Sequence, residues 1–479
     1  MQTTTVGHGV TMQLWRRWLN CVKQLRPACG RGRTFLWMVL VLAGLSTRPE
    51  RAGVTSFVRI LDLKPEAYAR LLHLFRSTAL CLDRLTELWI RMALRLFQPV
   101  MAGPYRICLV HGIKTAKEGK KMPAVKKLHQ SSGSNTKAPY IMGHSFEAVS
   151  LLVRGRAGQV AAVPLVARIH EGLIWSNRDK RSLLDKMVAL FLSLTAGWPD
   201  PVLLIADAYY ASRKVILPLL KAGHHLLTRA RSNSVAYFPA SPPKTRRRGR
   251  PKLYGKKVRL KDLAGELSEF SKAPSPCYSD SGIELSYRCV DLLWKPVGKL
   301  VRFVIVRHPQ RGMIFLLSTN RELNPLEIIE LYSYRFKIEV GFKQAVHTLG
   351  SYAYHFWMKL MTPIRASSGN QHLHMKSEYY RQMVRRKMNA YHLHVQFGCI
   401  AQGLLQHLSL NFGKQVWNQF HGWLRTMDPT RPPSELVTGQ TLRERLPEFL
   451  DVLAQGPKER ELLRKLRRPL RRRNLRKAA

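Results

Sequence analysis

Leu203-Leu-Ile-Ala-Asp207-Ala-Tyr-Tyr210 is an apolar run closed by a carboxylate. Its length and composition fit a buried strand with Asp207 at the carboxyl end, where α/β sheets place their chemistry. An ordinary strand-to-helix turn would read the same way, so the flanks carry the decision. Upstream, residues 107–110, 146–153 and 159–169 give three further strand candidates, and residues 182–194 read as a helix. Downstream, residues 213–222 read as a helix and residues 225–229 as a fifth strand.

Three strands followed by alternating strand and helix is the order expected of a ribonuclease-H-like α/β sheet, although periodicity alone permits other mixed α/β folds. Outside this core, Leu14, Trp15, Trp18, Val22 and Leu25 recur at helical spacing, and residues 65–97 do the same. Residues 232–323 interrupt the pattern with Pro-rich basic sequence and then β-structure. Asn324-Pro325-Leu326-Glu327 resumes it with an N-cap residue, Pro at the first helical position and Glu at the third. Five regions are therefore expected: a helical region (1–100) whose interspersed Arg and Lys suit DNA binding, the first part of the core (101–231), a basic linker with a β-rich insertion (232–323), the end of the core (324–375) and a helical C-terminal region with a basic tail (376–479).

The partner is narrowed by charge. Lys and Arg number 79 against 30 Asp and Glu, a formal charge of +49 over 479 residues. Self-repulsion on that scale opposes a compact state unless a polyanion screens it. Nucleic acid is the first partner to consider, because neutralised phosphates release counterions. The rival is an anionic membrane. The most apolar run, Phe35-Leu-Trp-Met-Val-Leu-Val-Leu-Ala-Gly-Leu45, falls well short of the roughly 20 residues a span requires and reads as a buried helix. Seven cysteines without a Cys-x-x-Cys pair argue for a reducing compartment and against a zinc ribbon. The expected location is the cytoplasm, in association with the nucleoid.

Tyr332, Arg335, Glu339 and Lys343 are spaced three, four and four apart, so on one helix they fall within about 80° of each other. Such a stripe suits a metal-binding carboxylate flanked by phosphate-gripping donors, and equally an exposed salt-bridge face. Together with Asp207-Ala-Tyr-Tyr210, the pattern Tyr332-x-x-Arg335-x-x-x-Glu339 resembles the DDE transposases of bacterial insertion sequences, in the insertion-sequence-4-like group. The run Gly112-Ile-Lys-Thr-Ala-Lys-Glu-Gly-Lys-Lys-Met-Pro-Ala-Val-Lys-Lys-Leu-His129, followed by Gly143-His144-Ser145, is similar to the same group. The resemblance covers roughly residues 100–360. It implies a ribonuclease-H-like core with a β insertion before the last catalytic acid, and two divalent ions (Mg²⁺ or Mn²⁺) held by three carboxylates. It also implies double-stranded DNA as partner, at the element's ends and at the target, bound by a homodimer. In that scheme Asp207 and Glu339 are metal ligands, while Tyr332, Arg335 and Lys343 orient phosphates.

Two positions depart from the pattern. The lysine expected seven residues after the glutamate is Val346, with Lys343 one turn earlier on nearly the same face. At the end of the first strand, where the group has an aspartate before the glycine, the sequence reads Leu109-Val110-His111-Gly112. An imidazole offers one nitrogen and no negative charge where two repelling cations need a bridging carboxylate. A catalytically impaired transposase is expected, and the alternative is a non-catalytic protein that occupies DNA ends and inhibits active copies. General RNA binding has only the charge in its favour.

Two weaker features complete the reading. Arg246-Arg-Arg-Gly-Arg-Pro-Lys252 contains a Gly-Arg-Pro core whose Arg248 and Arg250 suit a narrow A·T minor groove, or else a solvated basic linker. His372, His374, His392, His394 and Cys399 suggest zinc, but His-x-His on a helix points the rings about 160° apart, which argues against it.

Overall fold

The computed structural model describes residues 5–51, 53–130, 138–241 and 252–467. Among the described residues, one mixed sheet of fourteen strands runs through the centre. Five of its strands are those anticipated: β1 (Tyr105–Ala116), β2 (Tyr140–Arg154), β3 (Val160–Ile169), β4 (Val202–Ile205) and β5 (His225–Arg229). Their spatial order is β3-β2-β1-β4-β5. The first three are antiparallel neighbours, whereas β4 and β5 run parallel to β1. All four residues of β4 are buried, as expected for a central parallel strand covered on both faces.

Helices cover the sheet for local reasons that can be named. α1 (Leu183–Thr195) starts at a capping box: Asp185 N–H donates to Ser182 Oγ, and the Asp185 carboxylate accepts from Ser182 N–H at 2.7 Å. α2 (Arg213–Lys221) sinks Val215, Ile216 and Leu219 into the core. The apolar run 35–45 lies inside the helix Gly32–Thr47, almost wholly buried, and packs on the long helix Glu378–Trp417. Among the described residues no helix is long and apolar enough to cross a membrane.

The helices before and after the sheet share one layer. Trp15 stacks on Phe449 at 3.9 Å between ring centres and donates its indole N–H to Leu442 O. Trp89 donates to Pro164 O of β3 at 2.9 Å. A Cβ at Gly403, on the long helix, would stand 2.3 Å from the Trp89 ring, so only glycine admits that approach.

Residues 232–323 extend the core sheet across its edge. β6 (Glu284–Trp294), β7 (Lys299–His308) and β8 (Gly312–Ser318) form an antiparallel meander, and β8 pairs with β5. Three strands in this region were not anticipated: Val235–Pro239, Tyr254–Arg259 and Ser271–Pro274. Tyr254–Arg259 is a lysine-guarded outer strand, which carries little apolar signal.

Two expectations are corrected. The helix from Asn324 is two helices, α3 (Pro325–Ser333) and α4 (Phe336–Gln344), with Tyr334 and Arg335 in a turn between them. Most of residues 350–377 is not helical, and Gln371–His372 instead pairs parallel with Leu173–Ile174. His372 therefore lies on a strand and His374 in the one-turn 3₁₀ helix Leu373–Met375, not together on an α-helix, and their ring centres are 5.5 Å apart.

Candidate active site

Strand register assembles the centre. Leu109 of β1 pairs in parallel with Ile205 of β4, so extending the register by two residues brings His111 beside Asp207. α4 lies across β1 and β3 with Ile338 buried beneath it, and Gln402 fixes it by donating to Gly341 O at 2.9 Å. Glu339 thus stands over the ends of β1 and β4. Phe342, one turn on, stacks against the His111 ring with centres 6.1 Å apart.

The result is an imidazole between two carboxylates. His111 Nδ1 lies 3.3 Å from Asp207 Oδ2, off the line of a good hydrogen bond, and Nε2 lies 4.0 Å from Glu339 Oε1. Arg335 Nη2 reaches the same Glu339 oxygen at 2.5 Å. Asp207 is held from below: its Oδ1 accepts from Tyr209 N–H at 2.9 Å, and Thr228 of β5 donates to its carbonyl at 2.6 Å. Burial pushes the Asp207 carboxyl up, but His111, the Tyr209 N–H and the Arg335 charge outweigh it and leave the group below the usual range. All three side chains remain about one-quarter to one-third exposed, so the centre is open to a substrate.

These donors do not fit a pair of magnesium ions. Glu339 is already engaged by a guanidinium, and the imidazole stands where a bridging carboxylate would be needed. Among the described residues no group of three His, Cys, Asp or Glu side chains is arranged to hold a metal ion. Neither nearby acid fills the gap. Glu118 lies seven residues past His111, beyond the end of β1. Glu147 pairs across the strands with Gly112, and so projects from the opposite face of the sheet to His111, whose partner is Ala148.

Glu147 was not singled out from sequence, and its surroundings are unusual. Its Oε1 accepts from the Tyr210 hydroxyl at 2.6 Å, and its Oε2 lies 3.9 Å from His170. Burial pushes its carboxyl up to about 8; the Tyr210 bond opposes this and the Asp207 charge adds to it. Because the folded-state value lies above the unfolded one, this group's contribution to stability is full below about pH 4.5 and is lost as pH rises through about 8. Glu147→Gln, which retains an acceptor for Tyr210, should therefore melt above the parent at pH 9 by at least ~2 °C and match it near pH 4.5. A parent and variant with superimposable melting profiles across that range would refute the burial argument.

The remaining predicted residues divide between two clefts. Tyr332, its phenol pushed by burial up to about 12, lines a cleft of about 960 Å³ with Asp207, Tyr209, Arg229, Arg231, Arg311 and Arg335. Arg229, Arg231 and Arg311 were not foreseen; no local pattern separates them from the other cations of so basic a chain. Lys343 does not face this cleft. It lines a second one, at the C-terminal end of α4. Arg248 and Arg250 lie outside the described residues.

The 112–129 motif contributes packing contacts. Lys117 is buried and donates to the carbonyls of Tyr352 and Tyr354; burial lowers its amine to about 8. His144 is fully buried and bonded to Pro123 O at 2.9 Å. A Cβ at Gly143 would stand 2.2 Å from Thr115 O, so the Gly143-His144 pair lets β2 close on β1 and pins the loop between them. Two of the histidines considered for zinc are likewise held by the backbone: His392 accepts from Ile169 N–H, and His394 Nδ1 contacts Ser351 O at 3.0 Å.

A family model described as DDE superfamily endonuclease matches residues 24–273, just over half the chain. The match takes in His111 and Asp207 and ends before Glu339. No curated protein matches the chain. The sheet, the carboxylate at the end of β4 and the span of this match lead to one conclusion: the chain belongs to the DDE superfamily of endonucleases.

Proposed function

We propose that this chain is a DNA transposase of a bacterial insertion sequence by descent, which binds the ends of its element as a homodimer and is impaired in strand cleavage. The observation that carries the reading is the His111 ring standing between Asp207 and Glu339. Nucleases of this superfamily generally work with divalent ions, and a centre with two carboxylates and an imidazole lacks the charge to hold them. The strand order β3-β2-β1-β4-β5, three antiparallel and two parallel, supports a ribonuclease-H-like core. The net charge of +49 supports DNA as the partner. The Arg-lined cleft beside Asp207 would grip phosphates and so retain binding where cleavage is lost. The insertion-sequence-4-like pattern supports the finer family placement, with Val346 as its second departure.

The test uses end-labelled duplexes carrying the element's terminal repeats, with random duplexes for comparison. Preferential binding to the ends with little or no Mg²⁺- or Mn²⁺-dependent nicking is expected. Robust nicking by the unmodified chain would overturn the impairment, and equal affinity for both duplexes would overturn end recognition. The second reading, a non-catalytic occupant of DNA ends that inhibits active copies, is favoured by the same imidazole and predicts lower activity of an intact relative on addition of this chain.

The Arg246–Lys252 segment adds a separate expectation. If it enters the minor groove, Arg248→Ala with Arg250→Ala should weaken A·T-rich duplexes about tenfold more than G·C-rich ones. Equal losses in a fluorescence-anisotropy titration would leave only a linker that touches phosphates.

A further inference from the structure

The second cleft, about 410 Å³, is built from three separate parts of the chain. Arg48 and Arg51 follow the helix Gly32–Thr47; Lys343 and His347 lie on α4 and the turn that continues it; Arg443 belongs to the helix Glu435–Glu444. Ser434, Gln440, Gln344 and Thr348 add neutral polar groups, and none of the described lining residues is acidic. Two of the cations are held in place by the fold. Arg48 is buried and donates to the carbonyls of Leu349 and Gly350, to Gly53 O at 3.1 Å and to Ser56 Oγ at 2.8 Å. Arg443 donates from Nε to Thr47 O. Carbonyls and hydroxyls orient a guanidinium without cancelling its charge, and Glu50, an acid whose charge acts on Arg48, lies outside the cleft lining and pairs with Arg59. Arg51, Lys343 and His347 are exposed at the mouth, with Arg51 Nη1 3.3 Å from His347 Nδ1.

A pre-set concave cluster of one sign focuses an electrostatic field on whatever enters it. Its position specifies the ligand further. Lys343 and His347 stand four and eight residues beyond Glu339, about 6 and 12 Å along the helix axis. We propose that this cleft holds the backbone phosphates of duplex DNA about two to four nucleotides from the bond presented to Asp207 and Glu339. The proposal rests on the DNA-binding reading above and adds a path: α4 carries the DNA from the catalytic face to the junction between the N- and C-terminal helices. Lys343 then serves as a backbone clamp away from the reacting centre.

The experiment uses the full chain, a fluorescent 30-base-pair duplex and inorganic triphosphate as a small polyanion. Arg51→Gln with Lys343→Gln changes two exposed side chains and should leave the circular dichroism and melting of the protein intact. It should make the log–log salt slope of duplex binding shallower by about 2 and weaken binding at 50 mM salt roughly tenfold. In the parent, duplex should protect Lys343 from acetylation, read by mass spectrometry, whereas triphosphate at equal charge should not. An unchanged slope with Lys343 acetylated equally fast in the presence of duplex overturns the cleft while leaving DNA binding intact. Protection by triphosphate but not by duplex overturns it in favour of a small-polyphosphate site. A parent that binds no duplex at any salt overturns the DNA-binding reading itself, a result distinguishable from the other two.

Discussion

Replacing His111 by aspartate is expected to convert a chain with little or no metal-dependent nicking into one that cleaves its element's ends, a rise of at least a hundredfold. The argument is one of charge and space. Two divalent ions about 3.5–4 Å apart repel strongly and need a carboxylate between them. Asp207 and Glu339 already face each other across the His111 ring, and the parallel register of β1 with β4 fixes both strand ends. Aspartate is smaller than histidine, so the exchange opens the space now filled by the ring and supplies the missing oxygens. Each tenfold in rate requires only about 1.4 kcal/mol at the transition state, a small part of what one anionic ligand offers a metal pair. Glu339 must also exchange its bond with Arg335 for the metal, and because that pair is partly exposed the loss is modest. The gain should vanish on adding Asp207→Ala or Glu339→Ala. A folded, end-binding His111→Asp protein that remains inactive would place the defect elsewhere, with Val346 the first position to examine.

Some of this was legible in the sequence and some was not, for identifiable reasons. The strands around Asp207 were legible because buried parallel strands are continuous apolar runs, and β4 is one. The start of α3 was legible because Asn324 and Pro325 form a cap, and Asn324 Oδ1 does accept from Leu326 N–H. The division between α3 and α4 was not, because Tyr334-Arg335 contains no proline or glycine to announce it. Angular spacing placed Glu339 and Lys343 on one face, yet they meet different neighbours: Glu339 leans over β1, and Lys343 lines the cleft shared with the N- and C-terminal helices. Glu147 was invisible to pattern, since a single carboxylate in a long strand gives no sign of which face it will occupy. Its burial follows from the groups that cover that face of β2, Tyr210 and His170 among them.

DNA affinity should fall by about 10³-fold or more between 50 and 200 mM salt, with a log–log slope near −0.9 for each phosphate contacted. At least six contacts are a modest demand on a chain whose net charge is +49 and whose two clefts place Arg229, Arg231, Arg311 and Arg335 toward the N-terminal end of α4 and Arg51, Lys343 and Arg443 toward its C-terminal end. The basic tail can be separated from these. Leu463 and Leu466 are buried, and Arg467 pairs with Asp451 at 2.9 Å, so a cut before Arg464 would remove packed structure along with charge. Removing residues 468–479 instead takes six cations and leaves that helix anchored. The slope should then flatten by up to about 5, while the preference for terminal-repeat over random duplex persists, because tail cations meet phosphates rather than base edges. Loss of the preference with the tail would show that end recognition resides there. An affinity nearly independent of salt, in the full chain, would show that the excess charge is not a DNA-binding surface and would remove the main physical support for DNA as the partner.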